Sequence, residues 1–293
     1  MATVGPTHEF RTAEEPREQG LHAVIVANIK EVNDNVRLLR LFPVINRTIK
    51  FTPGQWVDTF VPGIPSAGGF TLTSIPQQAV ASDTSPPYLE LAVQKSRNPP
   101  SKWLWQPSED IIGSQIVVRV GGSFTWPPPH LDVQKIDRLV LIAGGVGINP
   151  LISIFTHLMR SSSRPKEVHF LYATKSEPDL DPQKILFLPR LMDIVSMAED
   201  SNVTLSLFVT GTDSEGAIEH GKLPNRTFGR RIAEEDVVRA IDGYKSRPAD
   251  VEGHRASTLS YVCGPPQMTD HFVKLLKSQP GMSEDRVLCE KWW

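Results

Sequence analysis

The sequence predicts an antiparallel β-barrel domain followed by a parallel, doubly wound α/β domain. A chain of 293 residues is longer than one hydrophobic core usually needs, because domains commonly hold about 100 to 200 residues. Short apolar runs separated by turn residues fill residues 21–120, which is typical of barrel strands. After the stiff run Trp126-Pro127-Pro128-Pro129, strand-like and helix-like segments alternate, as they do around a parallel sheet. We therefore expect an N-terminal extension over residues 1–19, a barrel over 20–129 and an α/β domain over 130–293.

The first domain contains six strand-like segments and one short helix-like segment. The strands are predicted at His22–Ile29, Val36–Phe42, Gln55–Val61, Phe70–Ser74, Tyr88–Gln94 and Gln115–Val120. The helix is predicted over Pro100–Trp105, with Ser101 as its N-cap, because a serine oxygen commonly accepts a free N–H group of a first turn.

The second domain has the pattern of a five-stranded parallel sheet with helical crossovers. The strands are predicted at Arg138–Ala143, Glu167–Ala173, Val203–Thr210, Ser260–Cys263 and Arg286–Glu290. The helices are predicted at Pro150–Met159, Gln183–Met197, Glu234–Ile241 and Gln267–Lys277.

The composition excludes several classes of protein. A net charge of -2 with 22% charged residues and no basic aromatic patch argues against nucleic-acid binding. No apolar run approaches the about 18 residues of a membrane span, and four glutamates in the first twenty residues argue against a targeting leader. The expected compartment is the cytosol, with the mitochondrion as the alternative if the natural chain begins further upstream.

The sequence predicts no metal site. With only Cys263 and Cys289, the chain cannot supply the about four ligands of a cysteine-bound zinc or iron–sulfur cluster. The eight histidines are scattered, without a pair at helical ligand spacing. A redox metal centre would therefore have to belong to a partner protein.

The clearest motif is a glycine-rich turn between a buried strand and a helix. It is the segment Gly144-Gly145-Val146-Gly147-Ile148-Asn149-Pro150. Its glycines leave room for a diphosphate to approach backbone N–H groups at the positive end of the helix, and Pro150 suits the first helical position. The turn therefore predicts a dinucleotide site, the alternative being a turn that only packs strand against helix.

Three further segments are candidate parts of a site. Cys263-Gly264-Pro265 ends a predicted strand at the edge where Gly145 also lies, although a small buried cysteine is the ordinary alternative. In Gly68-Gly69-Phe70-Thr71-Leu72-Thr73-Ser74, an aromatic ring and hydroxyl groups suit a flat heterocycle, but the string is also a plain β-strand. The terminal segment Glu290-Lys291-Trp292-Trp293 combines a carboxylate with indoles that need cover, from a cofactor or from a domain interface.

Together these strings resemble the ferredoxin–NADP reductase superfamily over about Leu21 to Trp293. The turn Phe51-x-Pro-Gly-Gln55, the strand at Phe70, the helix around Ser101, the glycine-rich turn and the Glu-x-aromatic end occur in that family's order. The glycine-rich turn and the terminus are most similar to the oxidoreductase NAD-binding domain-containing branch. This resemblance implies an antiparallel Greek-key, flavin-binding β-barrel and a C-terminal NAD(P)-binding domain.

The resemblance also implies residue roles. Catalytic roles are implied for Thr71 at flavin N5, Cys263 at the nicotinamide, and Glu290 with Trp292 as the terminal acid and the ring-stacking aromatic. The implied cofactor-binding residues are Phe70, Thr71, Leu72, Thr73, Lys95, Ser101, Gly144, Gly145, Val146, Gly147, Ile148, Asn149, Pro150, Cys263, Gly264, Pro265 and Trp292.

One residue departs from the family pattern. The family's flavin motif is Arg-x-Tyr-Ser, and its arginine position falls on Gly68. Without that bidentate phosphate ligand, the charge on FAD would have to be met by Lys95, Arg97 or Lys102.

The nucleotide preference rests on the segment after the third strand of the second domain. Thr210-Gly211-Thr212 stands there in place of the Ser-Arg that binds a 2′-phosphate, which favours NADH. NADPH stays the alternative, through Arg226, Arg230 or Arg231.

The expected activity is hydride transfer from NADH to FAD, followed by electron transfer to an external acceptor such as a haem or iron–sulfur protein. One alternative is a non-catalytic NAD(H)-binding sensor or scaffold that has lost flavin. Another is a redox-sensitive pair formed by Cys263 and Cys289.

Overall fold

A computed structural model describes residues 7–82, 85–175, 180–198, 202–211, 223–244 and 251–291. The chain divides into two compact units, residues 1–129 and 130–293.

The first unit is a six-stranded antiparallel sheet that closes on itself. Its strands are β1 (His22–Asn33), β2 (Val36–Pro43), β3 (Trp56–Phe60), β4 (Gly68–Thr71), β5 (Leu89–Gln94) and β6 (Gln115–Gly121), in the order β4-β3-β6-β1-β2-β5. Between the two outer strands, Leu72 bridges Leu91, and the Thr73 N–H donates to the Glu90 carbonyl oxygen at 2.8 Å. Fully buried aliphatic side chains such as Val24, Leu41 and Leu91 fill the interior. The predicted antiparallel barrel is confirmed.

Three short helices complete the first unit: α1 (His8–Arg11), α2 (Pro99–Leu104) and α3 (Ser108–Ile111). The predicted N-cap of α2 is wrong, because Asn98 is the N-cap and Ser101 lies inside the helix. The Ser101 hydroxyl instead donates to the Gln94 carbonyl oxygen at 2.8 Å, which ties the helix to the end of β5. Two prolines at the start of α2 need no capping acceptor, since they carry no N–H group.

The second unit is a parallel sheet of six strands. They are β7 (Arg138–Gly144), β8 (Glu167–Lys175), β9 (Val203–Thr210), β10 (Thr227–Phe228), β11 (Thr258–Cys263) and β12 (Val287–Glu290), in the order β10-β9-β8-β7-β11-β12. The predicted number of five was one too low, because β10 is a two-residue edge strand beside β9 and is too short to show a periodic pattern.

Helices cover both faces of this sheet, as the prediction of a doubly wound domain requires. They are α4 (Ile148–Met159), α5 (Leu188–Met197), α6 (Glu234–Asp242), α7 (Val251–Arg255) and α8 (Pro266–Lys277). Phe155 of α4 packs edge-on against Phe170 of β8 on one face. On the other face, Val237 of α6 and Phe272 of α8 share a core cluster with Ile142.

Two helices begin at other residues than predicted. Helix α4 begins at Ile148, directly after a 3-10 turn over Gly145–Gly147, so Pro150 is its third residue and not its first. The proline is tolerated there because the first four N–H groups of a helix have no internal partner. Helix α5 begins at Leu188 and not at Gln183, since Phe187 before it has a left-handed backbone with φ 60°.

In the part of the chain that the structure describes, no helix is both long enough and apolar enough to span a bilayer. Among the same residues, no group of three or more His, Cys, Asp or Glu side chains could hold a metal ion.

Candidate functional site

The candidate site lies at the carboxyl edge of the parallel sheet. Ala143 at the end of β7 pairs with Cys263 at the end of β11, and Cys263 pairs with Glu290 at the end of β12. The glycine-rich turn, the Cys-Gly-Pro segment and the terminal carboxylate therefore leave the sheet side by side. Ligands of open α/β sheets bind at this edge.

The glycines of the two loops are there because the loops touch. A Cβ atom on Gly147 would lie 2.4 Å from the Cys263 carbonyl oxygen. A Cβ on Gly264 would lie 3.1 Å from the Gly144 Cα, and one on Gly144 would lie 2.7 Å from the Pro265 ring. Since real Cβ contacts are longer, a side chain at any of these positions would push the loops apart.

Gly145 has a different role from its neighbours. Its backbone is left-handed, with φ +53°, and a Cβ there would meet no atom within 4 Å. This is the open side of the turn, and Gly145 is the first residue of the 3-10 turn that leads into α4. Consecutive backbone N–H groups at such a turn form an anion-binding concavity. The residues Gly144 to Asn149 therefore fit a dinucleotide diphosphate.

The side chains beyond the turn are largely enclosed. Cys263 and Ile148 are fully buried, and Asn149 and Pro150 are buried as well. Pro265 is exposed and Gly264 is half-buried. The implied contact of the Cys263 thiol with a nicotinamide stays a prediction.

The hypothesis of a redox-sensitive cysteine pair is wrong. Cys289 pairs with Val262, while Cys263 pairs with Glu290, and side chains alternate between the faces of a sheet. The two thiols therefore point to opposite faces. Neither thiol is part of a disulfide, and burial raises the pKa of the Cys289 thiol.

The terminal residues are described only in part. Glu290 is half-buried at the end of β12, and its register partner is Cys263. Trp292 and Trp293 lie outside the described residues, so the predicted role of Trp292 stays a prediction.

The candidate flavin residues on and directly after β4 differ in how far their side chains are exposed. Phe70 is half-buried against the barrel core, and Thr71 is only 5% exposed. Leu72 is fully buried, so only its backbone could reach a ligand. The Thr73 hydroxyl already donates to the Glu90 carboxylate at 3.0 Å. The implied flavin contacts of these residues remain predictions.

Gly68 cannot be replaced by a larger residue without rearrangement. A Cβ there would lie 2.7 Å from both the Phe70 ring and the Pro100 Cβ. The Phe70 ring thus covers the position from which the family's arginine would extend. Of the candidate replacement cations, Lys95 places its Nζ 5.2 Å from the Trp105 ring centroid, while Arg97 and Lys102 are exposed.

Sequence reasoning missed two contributors to this edge of the sheet. The Met268 thioether lies against the Cβ positions of both Gly144 and Gly264. Asp236 holds Arg230 in a bidentate pair, with N–O distances of 2.5 and 2.9 Å. Met268 lies four residues after Gly264 and Asp236 lies six after Arg230, but neither residue is part of a motif that marks such a contact in the sequence.

Arg226 and Arg230 are both engaged. Arg226 lies 3.9 Å over the Tyr244 ring and donates to the Ser206 hydroxyl. Burial alone would raise the pKa of Asp236, but the hydrogen bonds from Arg230 and the Ala233 N–H outweigh it and lower that pKa.

Comparison with known proteins assigns the chain to a family. Residues 136–277 match the family model described as the ferric reductase NAD binding domain. The chain is 35% identical over 293 residues to oxidoreductase NAD-binding domain-containing protein 1 of Danio rerio, covering 98% of this chain and 97% of the relative.

Solved structures of ferredoxin reductase type share the fold. A cytochrome P450 reductase of Amycolatopsis superposes with a TM-score of 0.68 at 19% identity, over 100% of this chain and 73% of that one. The cytochrome b5 reductase domain of Ulva prolifera nitrate reductase gives 0.64 at 17% identity, over 93% of this chain and 98% of that one. At these identities the likeness shows the fold alone.

Proposed function

We propose, from the premise that this chain belongs to the oxidoreductase NAD-binding domain-containing protein 1 family, that it is an FAD-dependent NADH oxidoreductase. The observation that carries the proposal is the open left-handed turn at Gly145, framed by glycines at 144, 147 and 264 that let two loops meet. NADH and FAD would supply the hydride chemistry when bound.

The chain's own residues would bind and orient the two cofactors. The N–H groups from Gly145 to Asn149 would hold the diphosphate of NADH, and Cys263 with Gly264 would border its nicotinamide. Phe70 and Thr71 would border the flavin ring, with the start of α2 near the flavin diphosphate. Glu290 would hold a proton beside the nicotinamide, and Trp292 would cover the flavin ring.

The electron acceptor would be an external protein with its own metal centre. Only Cys263 and Cys289 are available in the sequence, too few for a cysteine-bound cluster. A haem or iron–sulfur partner therefore fits this chain better than an internal second centre.

Cofactor content of the purified full-length protein tests the proposal. We expect protein that is loaded with FAD and desalted to retain the visible flavin spectrum, and NADH to bind by calorimetry with a Kd near the micromolar range, about −8 kcal/mol. Protein that binds NADH but retains no FAD would contradict it.

A second candidate function is an NAD(H)-binding sensor or scaffold without flavin. The observation that favours it is the Phe70 ring over Gly68, which leaves no room for an arginine on β4. This candidate predicts NADH binding without any electron transfer to ferricyanide. Ferricyanide reduction that depends on added FAD would exclude it.

We expect the site to prefer NADH because Asp236 engages the Arg230 guanidinium, which lies 5.3 Å from the centroid of the Phe208 ring of β9. Arg230 follows β10, the neighbour of β9, on the side of the sheet away from β11 and β12. If the nicotinamide lies at Cys263, the adenosine ribose points to this side. An Asp236→Asn variant should release Arg230 and improve NADPH binding about 10-fold relative to NADH, since a freed guanidinium can pair with a phosphate.

Equilibrium binding of the two nucleotides measures this preference. Glu234→Gln is the matched control, because it removes an acid two residues away that pairs with His271 and not with Arg230. An unchanged ratio of NADPH to NADH affinity in Asp236→Asn would show that Arg230 does not meet the ribose.

A further inference from the structure

We infer that residues 7–17 form a strap that holds β4 in place from its outer face, with His8 as a positioning residue for the flavin site. The inference rests on the proposed function, because β4 carries Phe70 and Thr71. We call residues 7–17 the N-terminal strap.

The strap is anchored on a buried carboxylate. Asp58 of β3 is fully buried, and its Oδ1 lies 3.0 Å from His8 Nε2. Its Oδ2 accepts hydrogen bonds from Arg17 Nε at 2.9 Å and from Arg119 Nη2 at 2.6 Å. Two of these three partners, His8 and Arg17, belong to the strap. Charge-assisted hydrogen bonds to a buried acid are among the stronger polar contacts in a protein.

Both ends of the strap are fixed to the barrel. Arg17 lies 4.8 Å over the Trp56 ring, and its backbone bridges Gly121. Its guanidinium also donates to the Thr12 carbonyl oxygen at 2.5 Å, which closes the strap into a loop. His8 meets the edge of the same Trp56 ring at 4.8 Å.

His8 lies directly on the backbone of Gly69. A Cβ on Gly69 would fall between 2.1 and 2.5 Å from three ring atoms of His8. The imidazole therefore occupies the space that any other residue at position 69 would need. Gly69 pairs with Asp58 in the β3–β4 ladder, so the ring and the carboxylate meet on one face of the sheet.

Strand β4 is pressed from two sides. Along Gly68–Thr71 it pairs with β3 alone, and its link to β5 begins only at Leu72, so its ladder gives these four residues little support. Gly68 faces Pro100 of α2, while the neighbouring Gly69 faces His8. Because successive residues of a strand point to opposite faces, Gly68 lets α2 pack closely against one face of β4, and Gly69 lets the strap pack closely against the other. The Gly-Gly pair is thus explained by close packing of the strap and of α2.

A double-mutant cycle between His8 and Gly69 tests the inference in the full-length protein. We expect Gly69→Ala to displace the strap, and His8→Ala to remove its contact. Each should raise hydrogen exchange in a peptide spanning residues 68–72 and speed FAD release about 10-fold. Adding Gly69→Ala to His8→Ala should then cost little more, because the new methyl group no longer meets the ring.

The controls separate this inference from the proposed function. Phe10→Ala changes a strap side chain that is 75% exposed and should leave both readouts unchanged. NADH binding should be unchanged in every variant, which reports that the second unit is folded. If the wild type retains no FAD, the proposed function fails. Hydrogen exchange in the same four proteins then still tests whether the strap holds β4 in place. The inference would be overturned if His8→Ala left hydrogen exchange at residues 68–72 unchanged. It would also be overturned if Gly69→Ala had the same effect in the wild type and in His8→Ala.

Discussion

A Gly147→Ala substitution is expected to weaken NADH binding about 100-fold, because overpacking by a methyl group costs about 1 to 3 kcal/mol. The added Cβ would lie 2.4 Å from the Cys263 carbonyl oxygen and 2.5 Å from its carbon. Both are backbone atoms, so no side-chain rotation relieves the contact. The glycine-rich turn and the Cys-Gly-Pro loop must then separate, and the diphosphate N–H groups move with them. Calorimetry of NADH binding measures the loss.

Gly63→Ala is the matched control for this variant. Gly63 has a positive φ of +74°, whereas φ at Gly147 is −63°, and a Cβ at Gly63 would meet no atom within 4 Å. Its substitution adds the same methyl group and costs only backbone strain of about 1 kcal/mol. NADH affinity should be that of the wild type in Gly63→Ala. Wild-type affinity in Gly147→Ala as well would contradict the contact between the two loops.

Removing the buried carboxylate with Asp58→Ala should lower the free energy of unfolding of the first unit by about 3 kcal/mol, because the charged groups of Arg17 and Arg119 lose their buried partner. The side chains of Arg17 and Arg119 are 15% and 30% exposed, so water compensates part of the loss. Urea unfolding followed by tryptophan fluorescence measures this loss of stability, since Trp56 lies against Arg17, one of the partners of Asp58.

Asp132→Ala provides the matched control for the removal of a paired acid. Asp132 belongs to the second unit, where it forms an exposed pair with Lys135 at 3.8 Å and accepts a hydrogen bond from the Gln134 N–H at 3.1 Å, which together are expected to contribute about 1 kcal/mol. An Asp58→Ala variant as stable as Asp132→Ala would contradict the structural role of the cluster.

The pH dependence of stability has a definite sign. Burial by itself raises the pKa of Asp58, but the hydrogen bonds from His8, Arg17 and Arg119 hold it well below the ordinary value of 3.8. A depressed carboxyl pKa stabilises the folded state above the unfolded pKa, and this contribution is lost as the pH falls below about 4. The free energy of unfolding of Asp58→Asn should therefore fall less steeply in this range than that of the wild type.

The parts of the fold that repeat a local pattern could be predicted from the sequence. Short apolar runs between turn residues mark all six barrel strands, although β4 begins at Gly68, two residues before its predicted start, and the glycine-rich turn marks the end of β7. The ladder then brought Cys263 and Glu290 beside that turn, as two separate predicted strands implied. These features depend on residues that are close in sequence, or on the fixed geometry of a parallel sheet.

The features that could not be predicted depend on partners distant in sequence. Arg17 and Arg119 reach Asp58 across 41 and 61 positions, and no spacing marks such a meeting. The pair Gly68-Gly69 was interpreted only as the place of a missing arginine. Its packing against Pro100 and His8 depends on segments on either side of it in the chain. Strand β10 has only two residues, which is below the length at which alternation can be recognised.

Anaerobic mixing of the FAD-loaded protein with NADH tests the central claim most directly, with the visible flavin absorbance followed through a single turnover. Hydride transfer predicts that this absorbance bleaches, and that it bleaches more slowly when the transferred hydrogen of NADH is replaced by deuterium. Protein that holds both FAD and NADH, yet keeps its full flavin absorbance, would contradict the assignment as an NADH oxidoreductase.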